Sequence, residues 1–267
     1  MPKDFADLNP VSDAPLVSED SNTNRNDKLT IEELTNLLQT GKPLDFKDRY
    51  ISDEVNLKGV KFLKPIEVQN LVCTAEVNFC GARFERGVNF TGCRFQKLNL
   101  ADARVEGALI LNEVVIGSET DHKLRRKNRR SDTEPQSSPP VVADFTNLRV
   151  AGCFSLMNAT VYGSLSCTQA DIEDDFRLDE AQIHGDVRLR RAHFGEFCTD
   201  AKQRTVYADA ADKEPHRLKR PCRVDGKLDL TSARVAGDVR LIAVLIGGEL
   251  GLQAAAIAQC KDQTRRR

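Results

Sequence analysis

The stretch Val150–Phe194 reads VAGCFSLMNAT, VYGSLSCTQAD, IEDDFRLDEAQ and IHGDVRLRRAH before Phe194, one eleven-residue phrase repeated four times. Val150, Val161, Ile172, Ile183 and Phe194 hold one place in the phrase. The pairs Phe154/Leu156, Leu165/Cys167, Phe176/Leu178 and Val187/Leu189 hold the next, followed by Ala159, Ala170, Ala181 and Ala192. A fixed period of this kind marks a solenoid, whose units bury their apolar residues only by stacking on their neighbours.

Working outward, the same phrase runs from Val55, with apolar residues at relative places 0, 2, 5 and 7. The series opens Val55-Leu57-Val60-Phe62, Ile66-Val68-Leu71-Cys73, Val77-Phe79-Ala82-Phe84 and Val88-Phe90-Cys93-Phe95. It continues through Leu98-Leu100-Ala103-Val105 and Leu109-Leu111-Val114-Ile116, and resumes at Ala143-Phe145-Leu148-Val150. The C-terminal units are Leu228-Leu230-Ala233-Val235, Val239-Leu241-Val244-Ile246 and Leu250-Leu252-Ala255-Ile257, fourteen in all. A spacing of two is a minimal strand with alternate side chains inward, and the chain bends after each one. A coil of one unit would be too narrow for facing rings such as Phe79, Phe84, Phe90 and Phe95. Two units, about 22 residues, leave room for them and stack the coils at the parallel spacing of about 4.8 Å. The expectation is therefore an all-β chain, a right-handed parallel β-helix with four short sides and roughly seven coils, since parallel crossovers are almost always right-handed.

The segments outside the repeat divide the rest. Residues 1–28, rich in Asp, Asn, Ser and Pro, read as a disordered tail. Residues 29–42 read as an N-terminal capping helix. Thr30 and Glu33 form a capping box, Leu29 offers a hydrophobic staple, and Gly41 with Pro43 stop the helix. The solenoid takes 43–260, with insertions at about 117–142 and 195–223, and 261–267 forms a basic tail. The C-terminal coil shows no amphipathic cap. Either it meets a second copy, giving a homodimer, or the chain is a piece of a longer one.

The triplets Val77-Asn78-Phe79, Ala82-Arg83-Phe84, Val88-Asn89-Phe90, Cys93-Arg94-Phe95, Leu98-Asn99-Leu100 and Ala103-Arg104-Val105 carry a resemblance. They look like the pentapeptide-repeat proteins, with a central apolar residue, a smaller one two before it and a polar residue between. The likeness runs from about Val55 to Ile257, with spacings of five alternating with six. It implies a right-handed four-sided β-helix with no active site of its own. The family works mostly through interaction, and a few members inhibit DNA gyrase by imitating DNA.

A formal net charge of -1 gives no global field toward nucleic acid or an anionic membrane. The N-terminus lacks the pattern of a secretory signal. The apolar stretch 241–258 carries Glu249 and Gln253 and keeps the repeat register, against a membrane span. Eight cysteines without a C-x-x-C pair, with Cys73, Cys93 and Cys167 at inward places, suggest reduced core thiols and a cytoplasmic protein.

Several surface features are candidate contacts. Arg83, Arg104 and Arg149 share one outward place and would stack on one face if the register survives the first insertion; they read as ordinary solvated arginines, with an anion-binding strip as the alternative. The run His122–Arg130, with Arg125, Arg126, Arg129 and Arg130, is the densest charge cluster and reads as a solvated loop. Asn56, Asn78 and Asn99 form an outward ladder whose amides would bond from coil to coil. Gly163, Gly185, Gly226 and Gly237 recur at the third place of their units, a turn requirement. Cys198, Cys222, His193 and His216 match no paired zinc pattern. The acidic pairs Asp174-Asp175 and Asp179-Glu180 sit at bends where carboxylates are solvated. The function expected is a non-enzymatic interaction scaffold with a protein partner and no cofactor or metal. The rivals are a nucleic-acid-related module, whether a gyrase-directed mimic or a basic-loop binder, and a membrane-associated enzyme subunit. Mimicry needs an acidic face, whereas the outward places carry Arg83, Arg94, Arg104, Arg177, Arg188 and Arg240, which weakens that version; with no global field, neither nucleic acid nor membrane is expected as a partner.

Overall fold

The computed structural model describes residues 28–47, 49–128, 139–198, 221–236, 239–240 and 244–257. The predicted 1–28 tail, apart from Lys28, and the basic 261–267 tail lie outside the described residues. The chain is a parallel β-solenoid of about eight turns with about 22 residues per coil. Its strands form two fourteen-stranded sheets in which every pairing is parallel. Each coil supplies four short strand segments, as at 77–78, 83–84, 88–89 and 94–95. The registers are those the period demands. Val55 lies opposite Val77, Phe62 opposite Phe84, and Ile66 opposite Val88. The ten-residue step from Val88 to Leu98 is absorbed at a corner, where the register of 72–78 against 94–99 shifts between Cys73 and Glu76.

The interior follows from this register. From Val55 to Val235 every described residue at places 0, 2, 5 and 7 is buried, except Val60, which is partly so. Aromatic rings stack up the bore. Phe62 lies 5.0 Å from Phe84, Phe79 lies 5.6 Å from Phe84, and Phe90 lies 5.7 Å from Phe95. A second stack runs Phe145, Phe154, Phe176, Phe194 at 4.9, 5.1 and 5.3 Å. Fully burying each such ring contributes about 1.5–3 kcal/mol, the main term set against the entropy of ordering the coil. Backbone groups are satisfied from coil to coil, as Phe79 N donates to Asn99 O at 2.7 Å and Leu100 N to Asp144 O at 2.7 Å.

Wherever the turn lies among the described residues, the units also turn in the same way. Ala82 N donates to Phe79 O at 2.9 Å around Gly81, whose φ is 66°. Gly59 and Gly92 do the same, and so do Asn70, Asp102, Asn147, Asn158 and even Glu113 and Arg191. A positive φ at the third of four residues is the mark of a type II turn. The Asn ladder is in register but bonds otherwise than expected. The side-chain oxygens of Asn56, Asn78 and Asn99 accept from the backbone N–H of Lys58, Cys80 and Ala101, at 3.3, 2.9 and 2.9 Å, so each tightens its own turn. Gly163, Gly185 and Gly226 are likewise needed for a different reason than the one read from sequence. None has a positive φ. Coils approach so closely there that a Cβ on Gly226 would lie 2.8 Å from Gly185 O, and one on Gly163 would lie 2.8 Å from Pro140 O. Gly237 lies outside the described residues.

The solenoid holds two units more than the fourteen read from sequence. One precedes Val55. Leu44 pairs with Val68 and Ile51 with Cys73, and Phe46 and Ile51 are buried. The other is split by the second insertion. The strand His193–Cys198 continues the coil, with Phe197 opposite Phe176, and Cys222–Val224 completes it, with Val224 opposite Ile183. Gly195–Cys198 and Cys222–Arg223 therefore belong to the coil and not to the insertion. The capping helix α1 spans Ile31–Thr40, shorter than 29–42, with the Thr30–Glu33 capping box formed and Gly41 left-handed. Its Leu34 and Leu38, with Leu29, join the core. A second helix, α2 (Glu119–Asn128), stands where a loop was expected. Among the described residues no helix is long and apolar enough to cross a membrane.

Candidate functional site

Two faces of the wall collect the candidate side chains. On the first, the register survives the 117–142 insertion, so Arg104 pairs with Arg83 on one side and Arg149 on the other. The column continues to Lys61 at one end and to Asp171, His193 and Arg234 at the other. Arg83, Arg104 and Arg149 are all exposed. Carboxylates flank the column and relieve its repulsion. Glu85 binds Lys61 at 2.8 Å, and Glu106 binds Arg104 at 2.5 Å. The hydrogen bond and charge of Lys61 hold the Glu85 carboxyl below its ordinary pKa, with smaller help from Arg83 and Arg104. Nearby walls repeat this mixture, with Lys97 on Glu76 at 2.9 Å and Arg177 on Asp175 at 2.7 Å. Exposed pairs of this kind contribute little to stability.

The second face is built by α2. Ser118 caps the helix, its Oγ accepting from Asp121 N at 3.1 Å, and Gly117 turns the chain outward with φ 92°. The helix lies along the column of residues that follow the last inward place of each unit. Gln96 donates to Asp121 at 3.3 Å, and His122 sits over Tyr162 and His184, with ring centroids 6.1 and 4.8 Å away. Tyr162 and His184 are themselves stacked at 5.1 Å and 7°. One coil further, His184 Nδ1 meets Asp225 Oδ2 at 2.8 Å, and Arg223 Nε donates to Asp225 Oδ1 at 2.6 Å. Partial burial works to raise the Asp225 pKa, but the hydrogen bonds from His184 and Arg223 prevail and leave it below the ordinary carboxylate value. His122, His184 and Asp225 are half-buried, and one donor atom from each lies within 4.8 Å of the others.

The basic run is thus largely helical. A defined backbone aims Lys123, Arg125 and Lys127, all exposed, which corrects the reading of a solvated loop. Arg126 lies on the same helix, its side chain outside the described set, and Arg129 and Arg130 lie beyond the described residues. Of the cysteine and histidine group, Cys222 faces the core while His193 faces outward and pairs with Asp171 at 3.0 Å, so the two do not converge. The Cys198 side chain and His216 are outside the described residues. Asp174 is exposed, but Asp179 is buried, against the expectation that both acidic pairs are solvated. Cys73, Cys80, Cys93, Cys153, Cys167 and Cys222 are free thiols. Burial pushes the Cys73, Cys93 and Cys222 thiols up to about 12 and holds the Cys167 thiol well above its ordinary value.

The His122–His184–Asp225 cluster escaped the sequence reading because its members come from an insertion helix and from two coils separated by the second insertion. Ser118-Glu119-Thr120-Asp121 was a helix-start signal that would have placed the first of them. The fold defines the class, a β-solenoid repeat protein. Compared with family models, curated proteins and solved structures, the chain matches none.

Proposed function

We propose that this protein is a non-enzymatic interaction scaffold of the pentapeptide-repeat type, recognising an acidic protein surface through its wall. The observation that carries the reading is the unbroken Arg83–Arg104–Arg149 column, which presents three exposed guanidinium groups at coil spacing. The inward residues are consumed in holding the rod together, so recognition falls to the outward side chains and to α2. Arginine suits this task because its planar fork meets carboxylates with two hydrogen bonds. The six cysteines whose side chains are described are all free thiols, which supports a reducing compartment such as the cytoplasm. Exposed Leu250, Leu252 and Ile257 on the last described coil would be covered either by a second copy, giving a homodimer, or by further coils of a longer chain. Light scattering on the purified chain tests the first: a dimer that Leu252→Lys converts to monomer agrees with that contact.

The test of the main reading is charge reversal. A triple Arg83→Glu, Arg104→Glu, Arg149→Glu variant is compared with the unaltered protein for capture of a partner, then for binding of that partner in purified form. Binding that survives the reversal removes the column from the account. The exposed Lys123, Arg125 and Lys127 on α2 favour one rival, a basic nucleic-acid contact. A gel-shift titration that depends on Arg125 and steeply on salt would move the assignment there, and inhibition in a gyrase supercoiling assay would move it to mimicry.

A further inference from the structure

We propose that His122, His184 and Asp225 form a transition-metal site, best suited to Zn2+, that fastens α2 to the solenoid wall. The proposal rests on side-chain geometry and is independent of the scaffold reading. The three donors come from separate parts of the chain. His122 lies on the insertion helix, and His184 and Asp225 follow Ile183 and Val224, which are in register on adjacent coils. One donor atom of each lies within 4.8 Å of the others in a half-buried setting. Two imidazoles and a carboxylate are the ligand set of a three-residue zinc site, which leaves a fourth position for water. Imidazole with a hard carboxylate suits Zn2+ better than Mg2+ or Ca2+, which take oxygen ligands.

The surroundings orient the donors as the partners of metal ligands do. Arg223 Nε holds the outer oxygen of Asp225 at 2.6 Å, leaving Oδ2 turned toward His184. The Tyr162 ring, parallel to that of His184 at 5.1 Å, fixes the imidazole plane. Donors around tetrahedral zinc stand about 3.3 Å apart for bonds of about 2.0–2.1 Å. The 2.8 Å between His184 Nδ1 and Asp225 Oδ2 needs to open by only a few tenths of an ångström, and His122 needs to close in. With the metal bound, α2 and its exposed Lys123, Arg125 and Lys127 are locked to the wall.

The test uses the full chain, stripped with chelator and titrated with Zn2+ by calorimetry and with Co2+ by visible absorbance. The expected result is one ion per chain, a cobalt spectrum without a thiolate charge-transfer band, and at least tenfold weaker binding in each of His122→Gln, His184→Gln and Asp225→Asn. Zn2+ also slows amide exchange across residues 119–128 in the unaltered protein and not in His122→Gln, whose change lies on α2 outside the core. Binding weaker than about 1 mM, binding unchanged in all three variants, or a thiolate band that places the ion on cysteine each overturns the proposal.

Discussion

Replacing Phe79 by alanine tests how the bore is held together. The ring is 2 % exposed and meets Phe62 at 6.2 Å, Phe84 at 5.6 Å and Phe90 at 5.8 Å. Its loss removes the transfer free energy of a buried ring and leaves a cavity within a closed coil, which costs about 3–5 kcal/mol. The three aromatic contacts, at about 0.5–1.5 kcal/mol each, place the change in the upper half of that range. Phe79→Leu keeps most of the volume and costs roughly 1–2 kcal/mol. A solenoid is quasi-one-dimensional, so the damage stays local. Segment-resolved hydrogen exchange is the assay. Protection falls first in residues 55–105, while the Phe154–Phe176–Phe194 stack, several coils away, keeps its protection. Arg83→Ala, an exposed change in the next strand, costs under about 0.5 kcal/mol. The reasoning is refuted if Phe79→Ala costs less than about 1 kcal/mol, or if exchange accelerates evenly along the chain.

Gly185→Ala puts a Cβ 2.6 Å from Ser164 N and against the Gly163 carbonyl, so adjacent coils must part; urea denaturation should show a loss of about 1–3 kcal/mol, and wild-type stability would remove the close-approach argument. The Cys222 thiol, pushed up to about 12 by burial and by Asp179, makes the fold sensitive to alkali. Its folded pKa lies above the unfolded value, so stability is intact below pH 9 and falls as pH rises toward 12. At pH 10.5 the loss is about 2 kcal/mol for this one thiol. Cys222→Ala should flatten the pH slope of the urea midpoint by that share, and an unchanged slope would contradict it.

The fold was legible because burial in a narrow coil is a one-dimensional problem. Phe79, Phe90, Leu156 and Leu189 each occupy a place that the period alone sends inward, and all four are buried. What the period did not reach followed other rules. The unit at Leu44–Ile51 went unread because an exposed charged residue, Arg49, stands at place 5, although Leu44, Phe46 and Ile51 keep places 0, 2 and 7. The unit begun by Phe197 is interrupted before Cys222, so neither half shows the phrase. The turn position escaped notice because its requirement is a backbone angle, met by Gly81, Asn147 and Arg191 alike. Helix α2 has no apolar stripe, and only its Ser118 cap announces it. The arginine column was legible since register alone builds it. The His122–His184–Asp225 cluster was not, because it depends on where an insertion folds back.

The most direct test of the account is a cross-link between coils that the first insertion separates in sequence. Arg104 and Arg149 are paired across neighbouring parallel strands, whose spacing of about 4.8 Å falls within the Cα range of about 4.4–6.8 Å that a disulfide spans. Under mild oxidation an Arg104→Cys, Arg149→Cys variant should close an intramolecular disulfide, identified by mass spectrometry of the joined peptides. An Arg104→Cys, Ala151→Cys pair, two residues out of register, should close far less. Equal yields from the two pairs, or no link between residues 104 and 149, would contradict a solenoid whose register continues past the insertion.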